Sequence, residues 1–562
     1  MISLLFHDEY FHIPFRPVPV IIYIFLFLTG CVISTMTASA GSRITLKPVI
    51  TMDQEYTDNL FLSKESKEED LITVISPGVI AEAGNRKGSI RFFYNLGYSH
   101  YQLHSEYDAW RHNSQLAGNI NFSEHTRMEF RNSFLLTEEP AEDIEERRDE
   151  DDTEDAEPET YEAETETVRQ SRYRYYTNSS QIRLIHQFGK SDSLRFAYAC
   201  DMLKNEDTTI RNEIKHRPAA ALTYWMIPQR VGLDAEISYV KNDISDAKGD
   251  PGYLEETLTS SAYMTWWAVP VRLSFKPGLS YIKGVSNEEN ADDSDNWYES
   301  ITPLLKIMYR FSRHSSMEAE GYVTKALTYT SEELSDPSDD FETWYGSLTF
   351  THQFHRHFEG FVRYMSSVTD YMGDDNGEDE DYEDYTLYEP SAGIRYILAE
   401  GLPLSLSVGY LVRDKKLTGR EAAITLNGQL GAWKFCRYGS AKFSASSGYN
   451  EDHFGPENLG LGFYYKADAS AEYIFSQYIT GRVYGRYQRN RYLDNEETGG
   501  ETRNDKSREF GAGLVFQSRK WWFVRVDYIY RDVSSTDDQD SYEDNRILLK
   551  MGISPARGIR IW

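Results

Sequence analysis

The chain is short of cysteine, proline and positive charge. Its 562 residues include three cysteines and 18 prolines, with 59 Lys and Arg against 89 Asp and Glu, a formal net charge of −30. The cysteines exclude a disulfide-stapled scaffold. Cys31 lies near the N-terminus, and Cys200 and Cys436 fall on separate predicted strands, where free thiols on an apolar face are expected. The charge excludes a nucleic-acid binder, because phosphates need clustered Lys and Arg. Beyond residue 40 no apolar run approaches the roughly 18–20 residues of a transmembrane helix. If the mature chain sits in a membrane, it must span it with strands. Leu and Ala do not dominate, which argues against a helical bundle.

What is abundant is aromatic: 41 Tyr, 28 Phe and 10 Trp. In the stretch Trp521–Val533, Trp522, Val524, Val526, Tyr528 and Tyr530 point one way. Phe523, Arg525, Asp527, Ile529 and Arg531 point the other. This is a strand with one apolar and one mostly polar face. Ser89–Tyr101, Leu194–Met202 and several later stretches repeat the pattern. Tight turns are expected near Asn85–Gly88, Ser123–His125, Gly189–Ser191, Pro228–Arg230, Val269–Pro270, Arg313–Ser315, His355–His357, Glu400–Leu402, Lys434–Phe435, Ser476–Gln477 and Ser518–Lys520. They alternate with longer loops rich in Asp, Glu, Asn and Gly. With a first strand near 44–56 and a last near 545–562, the count is about 24 strands (roughly 20–26). The expected fold is all-β: one large up-and-down antiparallel transmembrane β-barrel over 41–562, with short periplasmic turns and long acidic extracellular loops.

Tryptophan gives an independent check, because it prefers the two membrane interfaces. Trp225, Trp266, Trp267, Trp433, Trp521 and Trp522 abut short turns. Trp110, Trp297 and Trp344 open strands after long loops, and Trp562 ends the chain. Two aromatic girdles would place them this way. Pro17–Ala40 reads as a secretory signal, residues 1–40, cut after Ala38-Ser39-Ala40. A competing reading is a lipoprotein box at Leu28–Cys31, with Cys31 lipidated. The localisation expected is the outer membrane of a Gram-negative bacterium.

The run Thr137–Val168 holds 17 acids and two arginines, about half of the net charge. Such a block repels itself, so 138–168 is expected as a disordered external loop. No catalytic constellation emerges, and the chain is not expected to be an enzyme. His352, His355 and His357 cluster near one turn, but without acidic or Cys partners they read as solvated histidines rather than a metal site. The run Gly373–Asp384 suggests a calcium loop around Gly377, yet its first ligand position is Met372. No cofactor or metal is expected beyond loosely held Ca²⁺ or Mg²⁺ on the acidic loops. Inward positions carry Arg91, Arg183, Arg195, Arg272, Arg363, Arg525 and Asp527, the candidate lumen lining. The bland reading is that these groups ladder across neighbouring strands; the sharper one is contact with sugars or ions.

The opening Ile44–Val79, with Glu55-Tyr56-Thr57-Asp58-Asn59, Leu60-Phe61, Asp70 and the strand Ile75–Val79, resembles the outer-membrane barrels associated with exosortase (PEP-CTERM) and exopolysaccharide loci. More broadly, it is similar to the second β-barrel porin family. The resemblance implies a porin-like barrel linked to surface polysaccharide, and supplies no catalytic residues. A final aromatic such as Trp562 is, by the same resemblance, what barrel-assembly machinery recognises. The expected function is passage or guidance of polar solutes, with exopolysaccharide export the resemblance's contribution. Expected partners are outer-membrane lipid, lipopolysaccharide, the assembly machinery and polysaccharide export components. One alternative is a structural or surface-interaction barrel whose acidic loops bind divalent cations or lipopolysaccharide. A third is an outer-membrane lipid hydrolase.

Overall fold

Period-two alternation commits these segments to strands, and strands in a membrane must leave no open edge. The computed structural model describes residues 43–139, 172–207, 210–245, 252–288, 295–329, 340–372, 384–399, 402–416, 419–452, 460–492, 504–518, 521–536, 541–555 and 559–560. Strands are numbered in chain order from β1 (Arg43–Thr57) to β24 (Tyr542–Ile553). Each pairs antiparallel with the next. β24 returns to β1, from Ile50↔Ile553 to Thr57↔Arg546, so the sheet closes. A two-residue strand, β25 (Ile559–Arg560), pairs with Thr45 and Leu46 and continues the line of β24 after a break. Twenty-four strands therefore run around the circumference. The only helical piece among the described residues is a 3-10 turn at Ser105–Tyr107.

The two faces sort as the alternation requires. On β23 (Trp522–Ser534), Trp522, Val526 and Tyr528 are 43–46% exposed on the outer wall. Asp527 and Arg531, between them in phase, are 7% and 8% exposed on the inner wall. Outward exposure of large apolar groups recurs around the barrel, for example at Ile182, Leu279, Val362 and Leu426. A hydrocarbon surrounding accounts for such a surface; water does not. Trp110, Trp266, Trp344, Trp433 and Trp521 are likewise exposed near strand ends. Trp562 lies outside the described residues.

Short turns join one end of the hairpins, and eight of the eleven expected positions fall at or beside them, while Glu400–Leu402 and Ser518–Lys520 include residues 400–401 and 519–520, which lie outside the described residues. The exception is Lys434–Phe435, which lies inside β18 (Arg420–Cys436); the turn comes later, at Arg437–Tyr438. Register shifts on either side of Trp433 add residues to β18 without adding pairs, which carries the turn along the chain. Two turns share a design. Ile227–Arg230 and Val269–Arg272 each close with a bond from the fourth N–H to the first carbonyl, with proline second and a left-handed residue third, Gln229 (φ 58°) and Val271 (φ 64°).

Candidate permeation path and extracellular rim

The inner wall is a lattice of charge pairs. On β20 (Gly460–Ser476) through β24, register sets Asp468, Arg486, Glu509, Arg531 and Asp544 side by side in one row. Signs alternate along it. Arg486 lies 3.8 Å from Asp468 and 4.0 Å from Glu509, and Arg531 is 3.0 Å from Glu509. The row ends across the closing seam, where the Thr57 hydroxyl donates to Asp544 at 2.8 Å. Nearer the short-turn end, Asp527 accepts from Arg482 at 3.1 Å and from Arg525 at 2.6 Å. Gly513 sits between Arg482 and Asp527 in register. A Cβ there would meet Asp527 Oδ1 at 2.1 Å, so only glycine leaves room for the carboxylate. Partly wet pairs of this kind are individually worth about 0–1 kcal/mol. Their effect is to hold long side chains flat against the wall.

Most of the sequence-derived lining residues take inward places, and most are engaged with the wall. Arg91 is 3.9 Å from Glu82, which also binds Lys47 at 2.9 Å. Arg183 is 3.9 Å from Glu129. Arg363 donates to the Tyr345 hydroxyl at 2.8 Å, and Tyr345 stacks on Tyr322 with centroids 4.4 Å apart and planes 11° apart. Arg195 stands inward beside Ile185 and Ala221. Arg272 departs from expectation. It belongs to the turn before β11 (Leu273–Glu288), is exposed at the rim, and does not line the wall. Its alternation phase is inward, but the ladder ends one residue short of it. Arg482, Arg486 and Arg531 were legible too, since period two puts the first pair on one face of Ile479–Tyr492. Their acidic partners were not, because register is not written in either strand alone.

At the long-loop end, the stretch Thr57–Leu62 folds into the rim rather than out into solvent. Asp58 accepts from the Asn545 backbone N–H and side-chain amide, both at 2.8 Å. Asn59 is fully buried. Its amide donates to the Ser63 and Glu543 carbonyls at 2.8 Å, and its oxygen accepts from Ser63 N–H at 2.9 Å. These bonds tie the first strand to the last. Leu60 is fully buried with Ile72, Val74 and Tyr101, and Phe61 packs edge-on against His104 and Tyr107.

The acidic stretch also begins differently from expectation. Glu138 and Glu139, assigned from sequence to the disordered loop 138–168, are 1% and 5% exposed. Arg111, on β4 (Ala109–Asn121), donates to Glu138 from Nε at 2.9 Å and to Glu139 from Nη1. Ser99 and Tyr101 donate to the same Glu138 oxygen at 2.7 and 2.9 Å. One fork-shaped guanidinium satisfies two carboxylates, which makes their burial affordable. Arg172, beyond the acidic run, donates to the Leu60 carbonyl at 3.0 Å and the Tyr101 hydroxyl at 3.1 Å. Residues 140–171 lie outside the described residues, but both flanks of the run meet on one buried cluster.

His104 joins the loop after β3 (Gly88–Tyr101) to the start of β2 (Asp70–Asn85). Its ring nitrogens lie 2.9 Å from Asp70 and 2.7 Å from Glu68. Burial pushes its pKa down, and the hydrogen bonds to Asp70 and Glu68 together outweigh that, so the net shift is upward. A raised folded-state value means the imidazolium's stabilisation is complete below about pH 6.5 and fades as pH rises through the folded value. Amide protection at Gln102, Leu103 and His104, whose N–H groups donate to Asp70, is therefore expected to fall on going from pH 6 to pH 9. His104→Gln should abolish that pH dependence; a profile unchanged by the substitution would place its source elsewhere.

The other candidates stay apart. His352 hydrogen-bonds Ser315 on the outer wall at 2.9 Å, while His355 and His357 flank a turn with centroids 5.8 Å apart. Among the described residues, no group of three His, Cys, Asp or Glu is placed to hold a metal. The calcium-loop stretch 373–383, the leader with Cys31, Ala38 and Ala40, and most of the acidic run lie outside the described residues. Cys200 is a free thiol on the outward face of its strand, opposite Ser180 and His216; Cys436 is a free thiol exposed at the end of β18.

No family model matches the chain, and no curated protein does. Solved structures do. The FrpB iron transporter from Neisseria meningitidis (F5-1 variant, apoprotein form) aligns over 90% of this chain and 81% of its own, with a TM-score of 0.50 and 10% identity. The siderophore receptor PirA from Pseudomonas aeruginosa aligns over 91% and 80%, with a TM-score of 0.49 and 10% identity. The ferric-catecholate import receptor Fiu from E. coli K12 aligns over 90% and 81%, with a TM-score of 0.46 and 8% identity. A closed antiparallel barrel with an apolar outer wall, a polar inner wall and sorted turns and loops is the fold of Gram-negative outer-membrane barrels.

Proposed function

We propose that this chain is a porin-like outer-membrane barrel that passes or guides polar solutes, saccharides among them. The observation that carries the reading is the largely charged and polar inner wall of a closed 24-strand barrel, beside an outer wall fit for lipid. A circumference this large exceeds what side chains alone can fill. The stacked Tyr322–Tyr345 pair with Arg363 adds a saccharide-type surface, because ring faces take up sugar C–H groups and the guanidinium donates to hydroxyls. The link to exopolysaccharide rests on the resemblance of Ile44–Val79. The named solved structures are iron and siderophore transporters or receptors, a likeness of fold.

The test is conductance in planar bilayers with added oligosaccharide. Concentration-dependent block is expected, weakened roughly tenfold or more by Tyr345→Ala, in line with about 1–2 kcal/mol for one aromatic contact. Conductance indifferent to every oligosaccharide would overturn the saccharide reading. A second reading, a surface barrel whose acidic loops bind divalent cations and lipopolysaccharide, is favoured by the concentration of negative charge at 137–168. It expects calcium-dependent binding to lipopolysaccharide vesicles that is lost on deleting 140–166.

A further inference from the structure

One junction in the wall is not stitched like the others. Between β18 and β19 (Gly439–Asp452), the ladder is confined to Gly428↔Ala445, Gln429↔Ser444 and Leu430↔Phe443, with Trp433↔Ala441 and Cys436↔Gly439 beyond register shifts. Toward the long-loop end, among the described residues, the two strands form no ladder. β18 remains paired to β17 (Leu402–Lys415) up to Asp414↔Arg420, and β19 to β20 up to Asp452↔Gly460. Beyond Gly428↔Ala445, β19 therefore parts from β18, while β20 stays paired to β21 (Ile479–Tyr492) up to Gly462↔Tyr492, so the wall has a loose edge there. Two side chains span the parting. The Ser447 hydroxyl donates to the Leu426 carbonyl at 3.2 Å and accepts from the Leu426 N–H at 2.6 Å, while Asn427 accepts from the Ser447 N–H at 3.2 Å.

That edge goes inward. Phe463 and Tyr465 have the alternation phase of the outer wall, shared with Phe443, yet Phe463 is 7% exposed and packs with Met365, Tyr385, Leu387 and Leu411. Those four are inner-wall residues of β15 (Phe358–Tyr371), β16 (Tyr385–Ala399) and β17. The edge's outward-phase face thus lies against the inside of the neighbouring wall, as a flap overlaps a panel. It covers an apolar patch on the inner wall, separate from the Ile72, Val74 and Tyr101 cluster at the rim. On the other side of the parting, Ile424 and Leu426 are 57% and 54% exposed to the surroundings of the barrel.

We propose that this parting is a lateral gate, through which the apolar tail of a membrane amphiphile reaches the Met365–Leu387–Leu411 patch when the wall edge at β19, bending together with β20 and the β21 strand it stays paired to, moves off it. The occupant is an acyl chain from the surrounding leaflet, because the parting opens onto the lipid-facing wall and the surface it leads to is apolar. The hinge is the last ladder pair, Gly428↔Ala445. The latch is the Asn427–Ser447 contact, which two side chains supply in place of a run of backbone bonds. An intact ladder would hold the strands more firmly, since each missing pair forgoes about 0.5–1.5 kcal/mol.

The test uses the full-length protein in its native membrane. A photo-crosslinking amino acid replaces Leu411 in one variant, the outward Ile424 in a second, and the inward Gln181, far around the wall, in a third. Folding of each is checked by its shift on heating in gel electrophoresis, and Met365 replaces Leu411 as the probe site if that variant does not fold. Lipid adducts are expected at Ile424 and Leu411 and not at Gln181. Adding the pair Asn427→Cys and Ser447→Cys, oxidised, should cut the Leu411 adduct at least tenfold and leave the Ile424 adduct unchanged; reduction should restore it. Adducts at Ile424 but none at either patch position would overturn the gate. So would equal adducts at Leu411 and Gln181, or a patch adduct insensitive to the disulfide.

Discussion

Arg111→Ala is expected to cost about 3–5 kcal/mol, the usual penalty for stripping one partner from a buried ion pair. The reason is geometric. Arg111 faces both Glu138 and Glu139, and neither carboxylate has room to reach water. Removing the guanidinium leaves two like charges side by side in a pocket lined by Ser99 and Tyr101. The rim should loosen first. Hydrogen exchange at Ser99–Tyr101 and Thr137–Glu139 is expected to rise well before that of β10 (Tyr253–Val269), and the temperature at which the folded gel band disappears should drop. Arg111→Lys should recover only part, because an ammonium lacks the fork that serves two carboxylates. Adding Glu138→Gln and Glu139→Gln to Arg111→Ala should recover more, since amides are far less costly to bury. Equal stability of Arg111→Ala and the parent protein would show that these carboxylates are not buried together.

Asn59→Ala is expected to cost about 3 kcal/mol, at about 1 kcal/mol for each of three buried hydrogen bonds. Two of the groups left behind are backbone groups of Ser63, and the third is the Glu543 carbonyl. The damage should centre on the closing seam. Amides of Thr57–Asn59 and Glu543–Asn545 should lose protection, while the hairpin of β10 and β11 keeps its own. Asp58→Ala should act in the same direction, because Asp58 holds both amide groups of Asn545. Uniform loss of protection around the barrel would argue against a localised clasp.

These two residues show what could and could not be read beforehand. The alternation of Trp522–Ser534 marks its inner and outer faces without any partner, because a strand's period is intrinsic to the backbone. Strand number and the sorting of turns from loops follow from the same signal repeated. The role of Asp58-Asn59 does not follow, since their partners lie about 485 positions away in sequence. Their motif was visible only as a resemblance. Leu60 and Leu62, both fully buried, sit in a loop where periodicity says nothing about burial. Arg272 and Lys434–Phe435 were misplaced at strand ends, where a bulge or the last ladder bond decides the boundary. The parting of β19 from β18 was hidden for a related reason. Its stretch Gly439–Gly448 is built largely of Gly, Ala and Ser, which mark neither face strongly.

The central claim is a membrane-spanning barrel with a wet, charged lumen. The measurement that tests it most directly is single-channel conductance in planar bilayers, on protein whose gel mobility shifts on heating. Large, stable current steps, with ion selectivity changed by Asp527→Asn, are the expected result. A heat-shifted, inserted protein that never carries current would contradict an open polar path through the barrel.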